Sequence, residues 1–164
     1  MGLDMYLYRE QFVSGWNYSK DADTSLYDTI LEATGLERCE GSPHAMLKVC
    51  VAYWSKANAI HGWFVRELAG GVDECQPIHV PIAKLRELRD KAEAMLNVPA
   101  NFRANVAEKS GLTSQSGFFF GSTDYDDWYI EDMKHTVKQI DAALASIPAD
   151  ASDWDYSFIY QASW

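Results

Sequence analysis

Ala45-Met-Leu-Lys-Val-Cys-Val-Ala52 runs without a break into Tyr53-Trp-Ser-Lys-Ala-Asn-Ala-Ile-His-Gly-Trp-Phe-Val65. In the first stretch Ala45, Leu47, Val49 and Val51 alternate with Met46, Lys48, Cys50 and Ala52, the period of two that marks a strand. Its β-branched residues favour the same state. In the second stretch the spacing changes to three and four. Tyr53, Ala57, Ile60, Phe64 and Leu68 then share one core stripe of a helix over about 53–69, which Gly70-Gly71 ends. Trp54, Asn58, His61 and Val65 form the adjacent stripe. A chain that switches period in this way mixes sheet and helix.

The same two periods organise the rest. Leu3, Met5 and Leu7 alternate with Asp4, Tyr6 and Tyr8, a half-buried strand over 3–8. Leu26, Ile30 and Ala33 mark a short helix at about 24–34, stopped by Gly35. Residues 35–44 are a loop. An extended piece over Gln76–Val80 leads to Pro81, followed by a helix whose buried face is Ile82, Leu85, Leu88, Ala92 and Met95. Residues 97–116 are polar and irregular, a long loop. The clearest helix has core positions Ile130, Met133, Val137, Ile140, Leu144 and Ile147, with Thr123 and Asp126 set as a capping box. Asp124, Asp126 and Asp127 complement its dipole. A last strand over Trp154–Gln161 alternates Trp154, Tyr156, Phe158 and Tyr160 with other residues. The expectation is one α+β domain over residues 1–164, a small, mostly antiparallel sheet packed against three to four helices.

Composition bounds the function. The 164 residues are enough to bury a core. No apolar run nears the ~18 residues that span a bilayer, and the N-terminus lacks a basic region followed by an apolar one. A cytoplasmic protein is expected, and three cysteines without a CxxC pair fit a reducing compartment. The net charge of −10 is uneven. Residues 1–43 hold three basic and eight acidic side chains, residues 44–109 nine and seven, and residues 110–164 two and nine. Direct nucleic-acid binding needs a basic footprint that this pattern lacks. Acidity of this kind steers association with basic partners and keeps a chain soluble.

No sequence motif marks a cofactor, and none is expected. Cys39, His44, Cys75 and His79 supply zinc-ligand chemistry, but their spacing is looser than structural zinc sites use, so no metal is expected. Gly117-Phe-Phe-Phe-Gly-Ser122 before a helix invites phosphate, but three aspartates already satisfy that helix end and no GxxxxGK[ST] is present. The triple phenylalanine is read first as core packing between glycines that permit a tight path. Exposed rings that receive a ligand or partner are the alternative. His61 is the best candidate for proton transfer, with Asp73 or Glu74 placed to orient it, although a packed, hydrogen-bonded role is the commoner one for a helical histidine. Neither a GxSxG nor an HExxH marks a nucleophile or metal for it. The candidate binding residues are Trp54, Lys56, Asn58, His61, Ser122, Tyr125, Tyr129 and Trp164, with no metal ligands and no assigned catalytic residue. Convergence of His61, Tyr125 and Trp164 on one cavity is what a pocket for a small ligand would require.

Five blocks are spread over this chain: Met1-Gly-Leu-Asp-Met-Tyr-Leu-Tyr8, Tyr53–Val65 as quoted above, Gly71-Val-Asp-Glu-Cys75, Gln115-Ser-Gly-Phe-Phe-Phe-Gly-Ser-Thr-Asp-Tyr125, and Tyr160-Gln-Ala-Ser-Trp164. In that order they resemble a family of small proteins common in phage and prophage genomes. The family usually has Arg where this chain has Ser55, which removes a positive charge beside the candidate site and weakens any anion-binding argument. The resemblance implies a context rather than a mechanism: accessory proteins of this size often inhibit host defence or modify host enzymes. Two functions follow as expectations. One is a non-catalytic phage accessory protein that binds a host protein such as a defence component. The other is a pocket that binds, sequesters or modifies a small polar ligand such as a nucleotide.

Overall fold

β1 (Asp4–Ser14) begins where the alternation of Leu3, Met5 and Leu7 begins, and all three side chains are fully buried. It runs six residues beyond the expected strand because both flanks are paired, so polar Arg9, Glu10 and Gln11 are carried by the ladder rather than by burial. After α1 (Asp21–Thr34), closed by Gly35 at φ 68, the chain enters β2 (His44–Ser55). Next come α2 (Asn58–Leu68), β3 (Ile78–Val80), α3 (Ile82–Met95), α4 (Arg103–Ser110), α5 (Asp127–Ala145) and β4 (Tyr156–Ser163). The computed structural model describes residues 2–164, and Met1, first residue of the N-terminal block, lies outside the described residues. The sheet order is β2-β1-β4-β3, antiparallel throughout, so the fold is α+β with five α-helices rather than three or four.

One face of the sheet carries the core. Leu3, Met5 and Leu7, Ala52 and Trp54, Ile78 and Val80, and Phe158, Tyr160 and Ala162 join a single cluster with residues of α2, α3 and α5. The expected buried face of α3 is the observed one, residue for residue. Val13 and Tyr27 are buried outside that cluster, at the end of β1 where the Tyr27 ring lies against Gly15. Among the described residues no helix is long and apolar enough to cross a membrane.

The period change in the opening stretch falls later than the spacing predicts. Tyr53, Trp54 and Ser55 pair with Tyr6, Met5 and Asp4, so they close β2 instead of opening a helix. Tyr53 is therefore on the partly exposed side and not in the core stripe. The turn is made at Lys56, which takes a left-handed φ of 59, and α2 starts at Asn58. The alternation in β2 is also broken. Leu7 pairs with Ala52 but Tyr8 with Cys50, which leaves Val51 as a bulge. The bulge flips the parity, so Ala45, Leu47 and Val49 share a face with Ala52 and Trp54.

Four further expectations are corrected. The 97–116 segment is not all loop: Pro99 opens a 3-10 turn, α4 follows, and Gly111 at φ 75 ends it. Only Ala107 of α4 is fully buried, too little for a readable stripe. The N-cap of α5 is Asp126, which accepts from the Tyr129 backbone at 3.1 Å, so Thr123 is not the cap. Trp154 precedes β4 and is almost wholly exposed. Of the three phenylalanines only Phe120 is buried, and Phe118 and Phe119 face solvent.

Candidate functional site

The left-handed turn at Lys56 delivers Asn58 to the first position of α2, and there it does the work of a clamp. Its Nδ2 donates to the carbonyls of Phe120 (3.1 Å) and Ser122 (2.8 Å), and its Oδ1 accepts from the Gln115 backbone (3.0 Å). Three backbone groups of the 115–122 loop are thus satisfied by one buried amide. The loop can follow this path because Gly121 sits at φ 88, where a side chain is strained, and a Cβ added there would lie 3.4 Å from Lys56 Cβ. Gly117 lets the Phe120 ring fold back over it, and that ring meets His61 edge-on at 5.3 Å. Tyr129 completes the support by donating to the Leu112 carbonyl at 2.8 Å, while Ser114 donates its backbone N–H to Tyr125 at 3.2 Å.

Between this loop, the end of β2 and the start of α5 lies a cleft of about 320 Å³. Lys56, Asn58, Ser122 and Tyr129, four of the eight expected residues, line it together with Asp124, Asp126, Trp128 and Asp132. Trp54 is not there: it is buried under α5, its Nε1 donating to Thr136 Oγ1 at 3.0 Å. Tyr125 stands behind the wall, its ring 5.0 Å from that of Tyr129. His61 and Trp164 pack against the Phe120 ring, at 5.3 and 6.0 Å between centroids, and neither lines the cleft. His61, Tyr125 and Trp164 therefore do not share this cavity.

Burial pushes the Asp132 carboxyl up to about 6, while His135 opposes the rise and Asp126 adds to it. No hydrogen bond or ion pair reaches its side chain from the described residues. By contrast, Asp126 already caps α5. Burial also raises the Tyr129 phenol, with Tyr125 and Asp132 contributing. Trp128, one turn before Asp132, stands 79% exposed at the rim. Lys56 lines the same cleft without an ion-pair partner among the described residues.

His61 forms a separate, closed relay. Nε2 lies 2.8 Å from Asp73 Oδ2 and Nδ1 2.7 Å from the Tyr160 hydroxyl, with the ring fully buried. A neutral ring satisfies both contacts by donating to Asp73 and accepting from Tyr160. Asp73, as the sequence suggests, is the orienting carboxylate, and it also accepts from Trp164 Nε1 at 3.4 Å. Burial raises the Tyr160 phenol well above its ordinary value, with Asp73 adding to it. Both imidazole nitrogens are bonded to protein partners, and the His61 and Tyr160 rings are both buried from solvent. The relay ties α2 to β4 and to the segment between α2 and β3.

No cluster of three or more His, Cys, Asp or Glu able to hold a metal occurs among the described residues. His44 is on β2 and His79 on β3, the two opposite edges of the sheet, which separates the four candidate zinc ligands into distant pairs. Asp132 and Trp128 are not among the residues that the sequence marks as candidates. Their signal is an aspartate beside the core residue Met133, four positions after a tryptophan and so on the same helix face. Comparison with family models, with curated proteins and with solved structures returned no match.

Proposed function

We propose that this chain is a non-catalytic accessory binding protein, of the phage and prophage kind its sequence blocks resemble, whose cleft receives a lysine or arginine side chain of a basic host protein. One observation carries the reading: Asp132 is a half-buried carboxylate with no hydrogen bond or ion pair to its side chain from the described residues, in the lining of a cleft that also carries Trp128 and Tyr129. Burying an unpaired carboxylate costs stability, and a cation placed beside it offsets that cost. Trp128 supplies a ring face that a cation prefers. Asp124 and Asp126 extend the negative field, and the −10 net charge steers basic surfaces toward the molecule. Phe118 and Phe119, exposed on the neighbouring loop, offer apolar contact of the kind partner surfaces use. A host defence component is the class of target that the resemblance implies.

The test is affinity capture of host proteins at low salt with the wild type, Asp132→Asn and Trp128→Ala. Support is a captured protein that both substitutions release; retention of the same protein by both variants contradicts the reading.

A second reading rests on a different observation: Lys56 and Asp132 line one cleft without pairing with each other. A small molecule carrying both an amine and an acid would satisfy both. A thermal-shift screen of amino acids, polyamines and nucleotides separates the two readings, because a ligand at 100 times its Kd adds about 2.7 kcal/mol.

A further inference from the structure

From the exposed edge of β2 we infer that this chain self-associates, two copies pairing antiparallel through His44–Cys50 to join their sheets. β2 is an edge strand, bonded to β1 on one side only. At its Tyr53 end the free side is occupied: His135 Nε2 and Gln139 Nε2 from α5 both reach the Tyr53 carbonyl, at 3.0 and 2.7 Å. From His44 to Cys50 no backbone hydrogen bond besides those to β1 is made. Such an edge is a template for another strand, and proteins that stay monomeric usually guard it with charge, proline or a covering element.

The only charge on this stretch, Lys48, is turned to Glu10 of the neighbouring strand at 3.2 Å, and apolar side chains stand exposed on both faces of the edge. Met46 is 57% exposed on the face of Tyr6 and Tyr8, and Val49 is 49% exposed on the helix-bearing face, with Leu47 half-buried beside it. Exposed apolar side chains on both sides of an unpaired strand are what a joining strand would bury. Charge names the occupant. In a molecule of net charge −10, all twelve residues of β2 are free of Asp and Glu, and Lys48 is its one fully charged side chain. Two copies meeting here keep their acidic surfaces apart.

A two-fold axis through Leu47 gives a self-complementary register. Leu47 then faces Leu47 of the second copy, Ala45 faces Val49, and Met46 faces the aliphatic stem of Lys48. The two Lys48 ammonium groups are not directly opposed. Pro43, which has no N–H to offer, falls opposite the bulged Val51, just before α5 blocks the edge.

Light scattering across a micromolar-to-millimolar dilution series tests this directly. The wild type is expected to reach twice the 18.5 kDa chain mass, and Met46→Lys with Val49→Lys to hold the single-chain mass with unchanged circular dichroism. Both substituted positions are exposed, so folding is retained. A second measurement uses Leu47→Cys in a Cys39→Ser, Cys50→Ser background, in which oxidation should give a covalent dimer linked at position 47 by peptide mapping. A wild type that stays at the single-chain mass throughout, or a dimer that forms without cross-linking at position 47, overturns the inference.

Discussion

The Asn58 side-chain amide donates to the Ser122 carbonyl at 2.8 Å, and through this bond the first turn of α2 sets the shape of the cleft. Ser122 belongs to a loop that has little apolar anchorage of its own beyond Phe120. Its position is held by hydrogen bonds to one side chain, so the cleft depends on a residue that need never touch a ligand.

Asn58→Ala should therefore cost about 2–3 kcal/mol, because two carbonyls and one N–H lose their partner in a largely buried place. Urea denaturation measures the loss, and hydrogen exchange should speed up most at residues 115–122. A loss below about 0.5 kcal/mol would show that water replaces the amide without penalty.

Two buried tryptophans provide an internal control. Trp54 Nε1 donates to Thr136, whereas Trp63 Nε1 is buried with no partner. Replacing each by Phe removes similar volume but only one hydrogen bond. Trp54→Phe is expected to be the costlier by about 1 kcal/mol in chemical denaturation. Equal costs would mean that the Trp54–Thr136 bond contributes nothing net.

Tyr160→Phe leaves His61 Nδ1 buried without its 2.7 Å partner. A destabilisation of about 1–3 kcal/mol is expected, read from the urea midpoint at neutral pH. If His61 is part of a structural relay, this variant should bind partners as the wild type does once folded. Lost binding in a fully folded variant would bring the relay into the function.

Asp132 makes stability and binding oppose each other. Its carboxyl is raised from 3.8 to about 6, so the folded state holds this proton more tightly than the unfolded chain does. The stabilising contribution is complete below about pH 4 and is lost as pH rises through about 6. Asp132→Asn should gain about 1 kcal/mol at pH 7, a figure reduced for the solvent that reaches this carboxylate, and gain nothing at pH 4. Thermal or urea unfolding at the two pH values checks it. A variant less stable than wild type at pH 7 would mean that Asp132 already has a stabilising partner.

Much of this was legible in the sequence. The α3 stripe and the strand alternation of Leu3, Met5 and Leu7 sort inside from outside because each element has one clean apolar face. The β2–α2 junction was misread because Tyr53 and Trp54 fit a helical stripe as well as a strand, and pairing with Tyr6 and Met5 decides between them. Local spacing does not contain that pairing. The Val51 bulge is hidden for the same reason. In the site, Lys56, Asn58, Ser122 and Tyr129 come together as expected of neighbours across a loop. Trp54 and His61 are polar-tipped residues that found buried partners instead, Thr136 for one and Asp73 with Tyr160 for the other. Asp132 carries no distinctive signal in the sequence because helical aspartates are common, and its lack of a bonded partner among the described residues is a tertiary property.

The most direct test follows the Asp132 carboxyl and the Trp128 indole by NMR while an arginine- and lysine-bearing peptide is titrated in at low salt. If the cleft receives a basic side chain, the Asp132 pKa falls from about 6 toward the ordinary carboxylate range and the Trp128 indole signal shifts with it; the Trp128 shift is lost in Asp132→Asn, and both changes vanish at high salt. An Asp132 carboxyl that titrates unchanged at saturating peptide, with Trp128 unmoved, would contradict the proposal.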